Sequence, residues 1–292
     1  MDRSLEGAKR TQSMSTDEVQ AGNASWWNER PMAYDWHAQG AAEAGTAAWF
    51  DQIDAGFLHG SRLFASAQRP FDRIMPLDQL QGKRVLEIGC GMGFHTETLA
   101  RAGAQVTAVD LTEHAVNMTR RRLELRALQA EVLQADAERL PFQDRSFDFV
   151  WSWGVIHHSA RTGRIARHIA RVLKPEGECR VMVYNREGTS AKVALLRGHY
   201  LRGAFLRRSR EESLYAMTDG FSARYYVKDQ FEDLFRAFFD EVSSEVCGQD
   251  VDVLPLPRGL RSSMLRLIPE RYQRTAQARR GGFIFLRARR PA

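Results

Sequence analysis

The chain has 292 residues, a length that allows one decorated α/β domain. Of these residues, 43% are hydrophobic and 27% charged, a balance typical of a soluble globular protein. The longest apolar run, residues 147–156, is too short to span a bilayer, and the first residues contain no apolar segment of a signal peptide. Three scattered cysteines, Cys90, Cys179 and Cys247, fit neither a disulfide framework nor a zinc site. We therefore expect a cytoplasmic protein without a bound metal.

The net charge is +6, and arginine is much more frequent than lysine. The simplest interpretation is a genome that favours arginine codons. A more specific interpretation is an acidic partner, such as a phosphate, a carboxylate, a nucleic acid or a membrane surface. Composition alone does not distinguish between these two interpretations.

The amino-terminal part of the chain changes abruptly in composition. Residues 1–24 are polar and contain almost no aromatic side chain, which predicts a disordered tail. Residues 25–80 are rich in aromatic side chains and predict a helical cap that precedes the main fold and ends near Pro70 and Pro76. Eight of its aromatic residues fall within forty positions: Trp26, Trp27, Tyr34, Trp36, Trp49, Phe50, Phe57 and Phe64.

Short apolar runs alternate with helical patterns from Gly82 onwards, and such an alternation predicts a parallel sheet with helical crossovers. The predicted strands are residues 84–88, 105–109, 131–135, 147–152 and 179–184. Thr112 is the predicted cap of the helix that follows strand two. The helix before strand five is predicted to end at residues 174–177, which include a proline and a glycine.

The carboxyl-terminal part predicts one more helix through Phe231 and Phe235, followed by strands at about 241–246 and 282–288. No helical pattern connects these last two strands, so we expect the seventh strand to be antiparallel in an otherwise parallel, Rossmann-like sheet. This domain covers residues 81–292. Two arginine-rich segments within it, residues 186–226 and 248–281, are predicted insertions.

The loop after strand one carries the most informative pattern. Gly89, Gly91 and Gly93 are evenly spaced, whereas a dinucleotide-binding loop would need a glycine at the position of Phe94. Glu87 precedes the loop, where it would be poorly placed beside a pyrophosphate but well placed for an ammonium group. S-Adenosylmethionine has no phosphate and carries an ammonium, so the loop favours this cofactor over a dinucleotide.

Two further acids end the next two strands. Asp110 follows strand two and is expected to accept hydrogen bonds from the ribose hydroxyls. Asp136 follows strand three, before Ala137, and is expected to accept from the adenine amino group. For each acid considered singly there is an alternative role: a surface acid for Glu87, a turn residue for Asp110 and a helix cap for Asp136. Three acids at one sheet edge, beside a glycine loop, favour a ligand site.

With these residues, the chain resembles the class I S-adenosylmethionine-dependent methyltransferases of the type 11 group, strongly over residues 82–184 and weakly over 226–290. The matching segments are residues 85–93, 109–110, 136–142, 147–150, 154–158 and 172–177. The resemblance implies that the cofactor is bound by Glu87, Gly89, Gly91, Gly93, Asp110, Asp136 and Ala137. We also expect contacts from Cys90 and Leu111 in the same loops, and from Trp153, which follows strand four.

Methyl transfer is an in-line displacement, so the protein must chiefly hold the acceptor beside the methyl carbon. A general base is needed only when the acceptor has to lose a proton. His157, after strand four, is the candidate base, and Tyr34 of the cap is its candidate helper, since some small-molecule methyltransferases resembling this group use such a pair. The alternative is that His157 and His158 only pack the loop.

The aromatic cap and the long insertions favour a closed pocket and hence a small-molecule acceptor, methylated on oxygen, nitrogen or carbon. The arginine-rich insertions are interpreted as a lid over an acidic metabolite, as a membrane-surface contact or as solvated helix faces. The alternative function is an RNA or protein methyltransferase, but no RNA-binding module is recognisable. A non-catalytic binding protein is disfavoured because the loop and the three acids are intact.

Overall fold

The computed structural model describes residues 14–32, 42–65 and 69–291. Its centre is a seven-stranded sheet in the order β3-β2-β1-β4-β5-β7-β6. The strands are β1 (Arg84–Ile88), β2 (Gln105–Asp110), β3 (Glu131–Gln134), β4 (Phe147–Trp153), β5 (Leu173–Tyr184), β6 (Phe239–Cys247) and β7 (Phe283–Pro291). The pairs from β3 to β5 are parallel, and β7 is antiparallel to both of its neighbours. The predicted Rossmann-like sheet with an antiparallel last strand is confirmed.

Strand β5 begins six residues earlier than predicted, directly after the preceding helix. Leu173 pairs with Phe147, and the next pair along the ladder joins Glu178 to Phe149. Residues 174–177, where the preceding helix was predicted to end, are instead a bulge within the strand. Proline and glycine interrupt the ladder there without ending the strand.

Helices cover both faces of the sheet. They are α1 (Thr16–Glu29), α2 (Ala47–Ser61), α3 (Phe94–Arg101), α4 (Glu113–Leu125), α5 (Thr162–Val172), α6 (Thr189–Ala194), α7 (Arg210–Tyr215), α8 (Lys228–Arg236), α9 (Asp250–Val253), α10 (Arg258–Leu265) and α11 (Glu270–Arg280). One face of the sheet buries Ile165 of α5 and Phe231 of α8. The opposite face buries Phe57 of α2, Leu99 of α3 and Val116 of α4. This packing confirms the α/β layers and leaves the carboxyl ends of the strands open.

Helix α1 corrects the prediction of a disordered tail through residue 24. The helix begins at Thr16, and Ser15 and Glu18 form a reciprocal capping box at its start. The segment is polar because only one stripe of it meets the rest of the protein, through Val19 and Asn23. An ion pair of 2.9 Å between Asp17 and Arg161 further fixes it. The cap therefore starts before residue 25, and Tyr34 and Trp36 lie outside the described residues.

The two predicted insertions contain the short helices α6 and α7 in residues 186–226, and α9 to α11 in residues 248–281. The backbone N–H of Ser190 in the first insertion donates to Asp252 Oδ1 in the second, at 3.1 Å. Over the described ranges, none of the helices combines the length and the apolar character needed to cross a bilayer.

A buried ion-pair network joins the cap to the domain. The side chain of Arg122, in α4, is only 1% exposed. Its Nε donates to Glu97 of α3 at 2.6 Å, and its Nη1 donates to Asp54 of α2 at 3.0 Å. Since a charge buried without partners is costly, this guanidinium holds three helices in a fixed arrangement beside the glycine loop.

We predict that Arg122→Ala lowers the free energy of unfolding by about 3–5 kcal/mol, because it leaves two carboxylates partly buried without their partner. Urea denaturation measures the change. The neighbouring Arg121 is half exposed in its pair with Glu124, so Arg121→Ala is the control, with an expected loss below about 1 kcal/mol. Equal losses in the two variants would contradict a structural role for the network.

Candidate functional site

The loop between β1 and α3 has the backbone that its glycines predict. Gly89, Gly91 and Gly93 all have positive φ angles, of 83°, 52° and 79°. A Cβ atom at Gly89 would lie 2.1 Å from Val155 Cγ2, whereas a Cβ at Gly91 would meet open space. Gly89 is therefore needed for close packing, and Gly91 leaves the loop open towards a ligand.

Asp110, at the end of β2, is hydrogen-bonded to this loop. Its Oδ2 accepts from the backbone N–H of Gly91 at 3.1 Å, and its Oδ1 accepts from the backbone and hydroxyl of Thr112 at 3.0 and 2.9 Å. Burial raises the pKa of Asp110, although these donors oppose the change. Since a carboxylate oxygen accepts more than one hydrogen bond, Asp110 keeps acceptor capacity towards the cavity that it lines.

Asp136 lies at the edge of the site and is engaged by the cap. Its Oδ1 accepts from the backbone N–H of Glu138 at 2.8 Å and from Gln20 Nε2 of α1 at 2.9 Å. Ala137 lines the cavity, as do Gln20 and Ala135, whereas Asp136 itself does not. The structure thus brings a side chain of α1 between Asp136 and the cavity.

Glu87 lies behind the glycine loop and not on the cavity wall. It is 1% exposed, and its carboxyl accepts a hydrogen bond from the Thr96 hydroxyl. Burial raises the pKa of Glu87 to about 8, and the nearby Asp110 adds to the effect. In this structure, the carboxyl therefore holds its proton at neutral pH.

The cavity along the carboxyl ends of the strands has a volume of about 920 Å³, within the range of about 300–1,000 Å³ that is usual for ligand sites. On the side of β1 and β2 it is lined by Gly89, Cys90, Gly91, Asp110 and Leu111. On the side of β4, β5 and β7 it is lined by Trp153, Met182, Tyr184, Asp219, Tyr225 and Phe283. Burial raises the pKa of the Cys90 thiol well above its usual value, so this cysteine is a wall residue and not a nucleophile.

The two histidines after β4 differ in position. His157 is fully buried, and it is in ring contact with Tyr184 at a centroid distance of 4.1 Å. Within the described part of the chain, neither of its ring nitrogens has a hydrogen-bond partner. His157 does not line the cavity, whereas His158 does. The 3₁₀ turn Ile156–His158 thus directs the second histidine, and not the first, to the cavity, and the role of His157 as the base stays a prediction.

His158 has a defined tautomer. Its Nδ1 lies 2.6 Å from the carbonyl oxygen of Ser222, and because a carbonyl only accepts, Nδ1 must donate. The other ring nitrogen, Nε2, consequently keeps its lone pair. Burial lowers the pKa of His158 to about 4, so the ring is neutral at pH 7. A neutral imidazole beside the cavity is the form that accepts a proton.

Helix α1 fixes His158 from the other side. Asn23 Nδ2 donates to the backbone oxygen of His158 at 2.7 Å. The Trp27 ring meets the His158 ring edge-on, at a centroid distance of 5.0 Å. Trp27 is among the aromatic residues predicted for the cap, whereas Asn23 is not predicted, although the spacing of Ser15 and Glu18 is that of a capping box and signals a helix start.

The other aromatic residues named from the sequence differ in whether they line the cavity. Trp153 lines the cavity and stacks on Trp151 at a centroid distance of 5.9 Å. Trp49 belongs to a small buried cluster with Phe50, and Trp26 lies beneath the guanidinium of Arg30. Of the described tryptophans of the cap, only Trp27 lines the cavity.

The family model described as a methyltransferase domain matches residues 86–181. A ubiquinone biosynthesis O-methyltransferase of Xanthomonas oryzae pv. oryzae is 35% identical over 127 residues, which are 42% of this chain and 52% of that protein. A fatty-acid O-methyltransferase of Mycolicibacterium smegmatis is 41% identical over 100 residues, 34% of this chain and 36% of that protein. The chain thus spans about half, or less, of the length of these relatives.

Among solved structures, the [4+2]-cyclase SpnF is similar with a TM-score of 0.52 and 23% identity, over 80% of this chain and 87% of that chain. At this identity the likeness shows the fold alone.

We predict that Glu87→Gln changes how stability depends on pH. The folded protein holds the Glu87 proton up to about pH 8, whereas the unfolded chain releases it near the ordinary value of 4.5. The wild type therefore loses stability relative to Glu87→Gln as the pH rises from about 4.5 to 8. Urea denaturation at several pH values measures the difference between the two proteins, with the exposed Glu176→Gln as a control for loss of a carboxyl. A difference that is constant over this range would contradict the raised pKa.

Proposed function

We propose that the protein transfers a methyl group from S-adenosylmethionine to a hydroxyl oxygen of a small-molecule acceptor, in line with the match of residues 86–181 to the model of a methyltransferase domain. The observation that carries the proposal is the open glycine loop hydrogen-bonded to a cavity-lining carboxylate, Gly91 to Asp110. This arrangement places an acid on the cavity wall, where a ribose can donate to it.

The residues on the β1 and β2 side fit the cofactor. Gly91 leaves space beside the backbone where a side chain would otherwise intrude. Asp110 accepts from the ribose hydroxyls, and Leu111 and Ala137 provide apolar surface for the adenine. When bound, S-adenosylmethionine supplies a methyl group on a sulfonium that leaves as a neutral sulfide. The Glu87 carboxyl, buried behind the loop, is available to ionise when the cofactor's ammonium lies close to it.

The opposite side of the cavity fits an acceptor with an apolar or aromatic body. Trp153 and Phe283 line this side and meet edge-on, with ring centroids 6.1 Å apart, and Met182 lines it with them. The sheet holds these side chains rigidly, because Met182 and Phe285 of the same strands pair directly. Two relatives named as O-methyltransferases support oxygen as the acceptor atom.

His158 is the side chain that we assign as general base, in place of His157. Its Nε2 accepts the hydroxyl proton of the acceptor while Nδ1 remains bonded to Ser222. The contacts with Asn23 and Trp27 keep the ring oriented during this transfer. The protein thereby excludes water, positions the hydroxyl and removes its proton. Tyr34, which lies outside the described residues, stays a predicted helper.

We predict that methyl-labelled S-adenosylmethionine transfers label to members of a panel of phenols and hydroxylated lipids. His158→Gln should lower the turnover of a hydroxyl acceptor by about 100- to 10,000-fold, with cofactor affinity retained. His157→Gln is the matched control and should lower it much less. Because the pKa of His158 is about 4, wild-type turnover should fall through loss of this base only as the pH approaches 4.

Two results would contradict the proposal. Label transferred only to RNA or protein, and to none of the small acceptors, would exclude a small-molecule substrate. Near-normal turnover in His158→Gln on a hydroxyl acceptor, together with a large loss in His157→Gln, would return the role of base to His157.

A further inference from the structure

Exposed apolar side chains are concentrated in the two insertions. Of the eleven large apolar side chains that are exposed in the described chain, ten belong to residues 186–226 or 248–281, and Leu125 is the exception. In the first insertion they are Leu196, Tyr200, Leu201, Phe205, Leu206 and Met217. In the second insertion they are Leu260, Met264, Leu267 and Tyr272. Such a concentration in a small part of the surface marks an interaction site.

The first insertion combines these side chains with positive charge. Residues 188–210 contain six lysines and arginines and no acid. Leu201 and Leu206 are 75% and 77% exposed, and each is followed directly by an exposed arginine, Arg202 and Arg207. Within the described ranges, no carboxylate forms an ion pair with either arginine. Apolar and cationic side chains thus project to solvent together.

The second insertion repeats this combination. Its residues 254–281 contain seven arginines and one acid, Glu270. Leu267, which follows Arg266, is 84% exposed. The hydrogen bond from Ser190 to Asp252 joins the two insertions, and both supply side chains to the cavity, among them Met217 and Arg261. The two segments therefore border the same site.

We propose that the two insertions dock the protein on a membrane surface that carries anionic lipid headgroups. Leucine and phenylalanine side chains enter the boundary between headgroups and acyl chains, and arginines bind the phosphates of the same layer. The positive charge of the insertions complements the negative headgroups, and the exposed aliphatic side chains lie beside these arginines. The three most exposed of these apolar side chains, Leu201, Leu206 and Leu267, are aliphatic and more exposed than any aromatic ring of the insertions, and this favours a bilayer over the stacked bases of a nucleic acid.

The test is flotation of the full-length protein with lipid vesicles, without cofactor or acceptor, so that its outcome is independent of the proposed function. The wild type is expected to float with vesicles of phosphatidylcholine that contain phosphatidylglycerol. It is expected to float much less with phosphatidylcholine alone, and to dissociate from the anionic vesicles at high salt, because exposed charges are then screened.

Two double variants separate the apolar and the charged contributions. Leu201→Ser with Leu206→Ser, and Arg202→Gln with Arg207→Gln, are each expected to reduce partitioning to anionic vesicles by at least about 10-fold. The matched controls lie outside the insertions: Leu125→Ser, and Arg164→Gln with Arg167→Gln on α5. They should bind like the wild type.

Absence of wild-type flotation with anionic vesicles would overturn the proposal, and so would equal binding to neutral vesicles. Sedimentation could also contradict the proposal. If the wild type is a dimer and the double variant Leu201→Ser with Leu206→Ser is a monomer, a second copy of the chain, and not a membrane, covers this surface. If circular dichroism shows that a double variant does not fold, the binding of the wild-type protein to anionic and to neutral vesicles still tests the proposal.

Discussion

The hydrogen bond from the Gly91 backbone to Asp110 is the contact on which the site depends. Beside it, the backbone N–H groups of Gly89 and Cys90 donate to the carbonyl oxygen of Val109, at 2.7 and 3.2 Å. These bonds attach the loop after β1 to the end of β2, so the loop curves away from the sheet edge and leaves a cavity there. The missing side chain at Gly89 makes this curvature possible, since Val155 occupies the adjacent space. A side chain at this position would collide with Val155 and displace the loop.

The other half of the site depends on contacts between segments that are distant in the sequence. His158 is held by Asn23 and Trp27 of the cap and by Ser222 of the first insertion. Gly220 allows the insertion to approach, because a Cβ there would lie 2.7 Å from the Trp27 ring. The orientation of the proposed base is therefore set jointly by the cap and by an insertion. Substitutions in either segment are expected to affect turnover as well as specificity.

The sheet and the cofactor side of the cavity could be predicted from the sequence because their signals are local: apolar runs, Thr112 as a cap, and glycines followed by an acid. Helix α1 was missed because its composition is polar and its stability comes from distant partners such as Arg161. The difference between His157 and His158 could not be predicted either. Adjacent residues in a 3₁₀ turn point in different directions, and contacts with distant residues, Tyr184 for His157 and Ser222 for His158, fix which of them reaches the cavity.

Calorimetric titration of the purified protein with S-adenosylmethionine is the decisive test of the cavity's ligand. We expect saturable binding by the wild type, weaker or undetectable binding of a nicotinamide dinucleotide, and an affinity for S-adenosylmethionine that Asp110→Asn lowers by about 10- to 100-fold. The exposed Asp144→Asn, on another part of the surface, should bind like the wild type. Absence of binding by the wild type, or a preference for the dinucleotide, would contradict the assignment of the cavity to this cofactor.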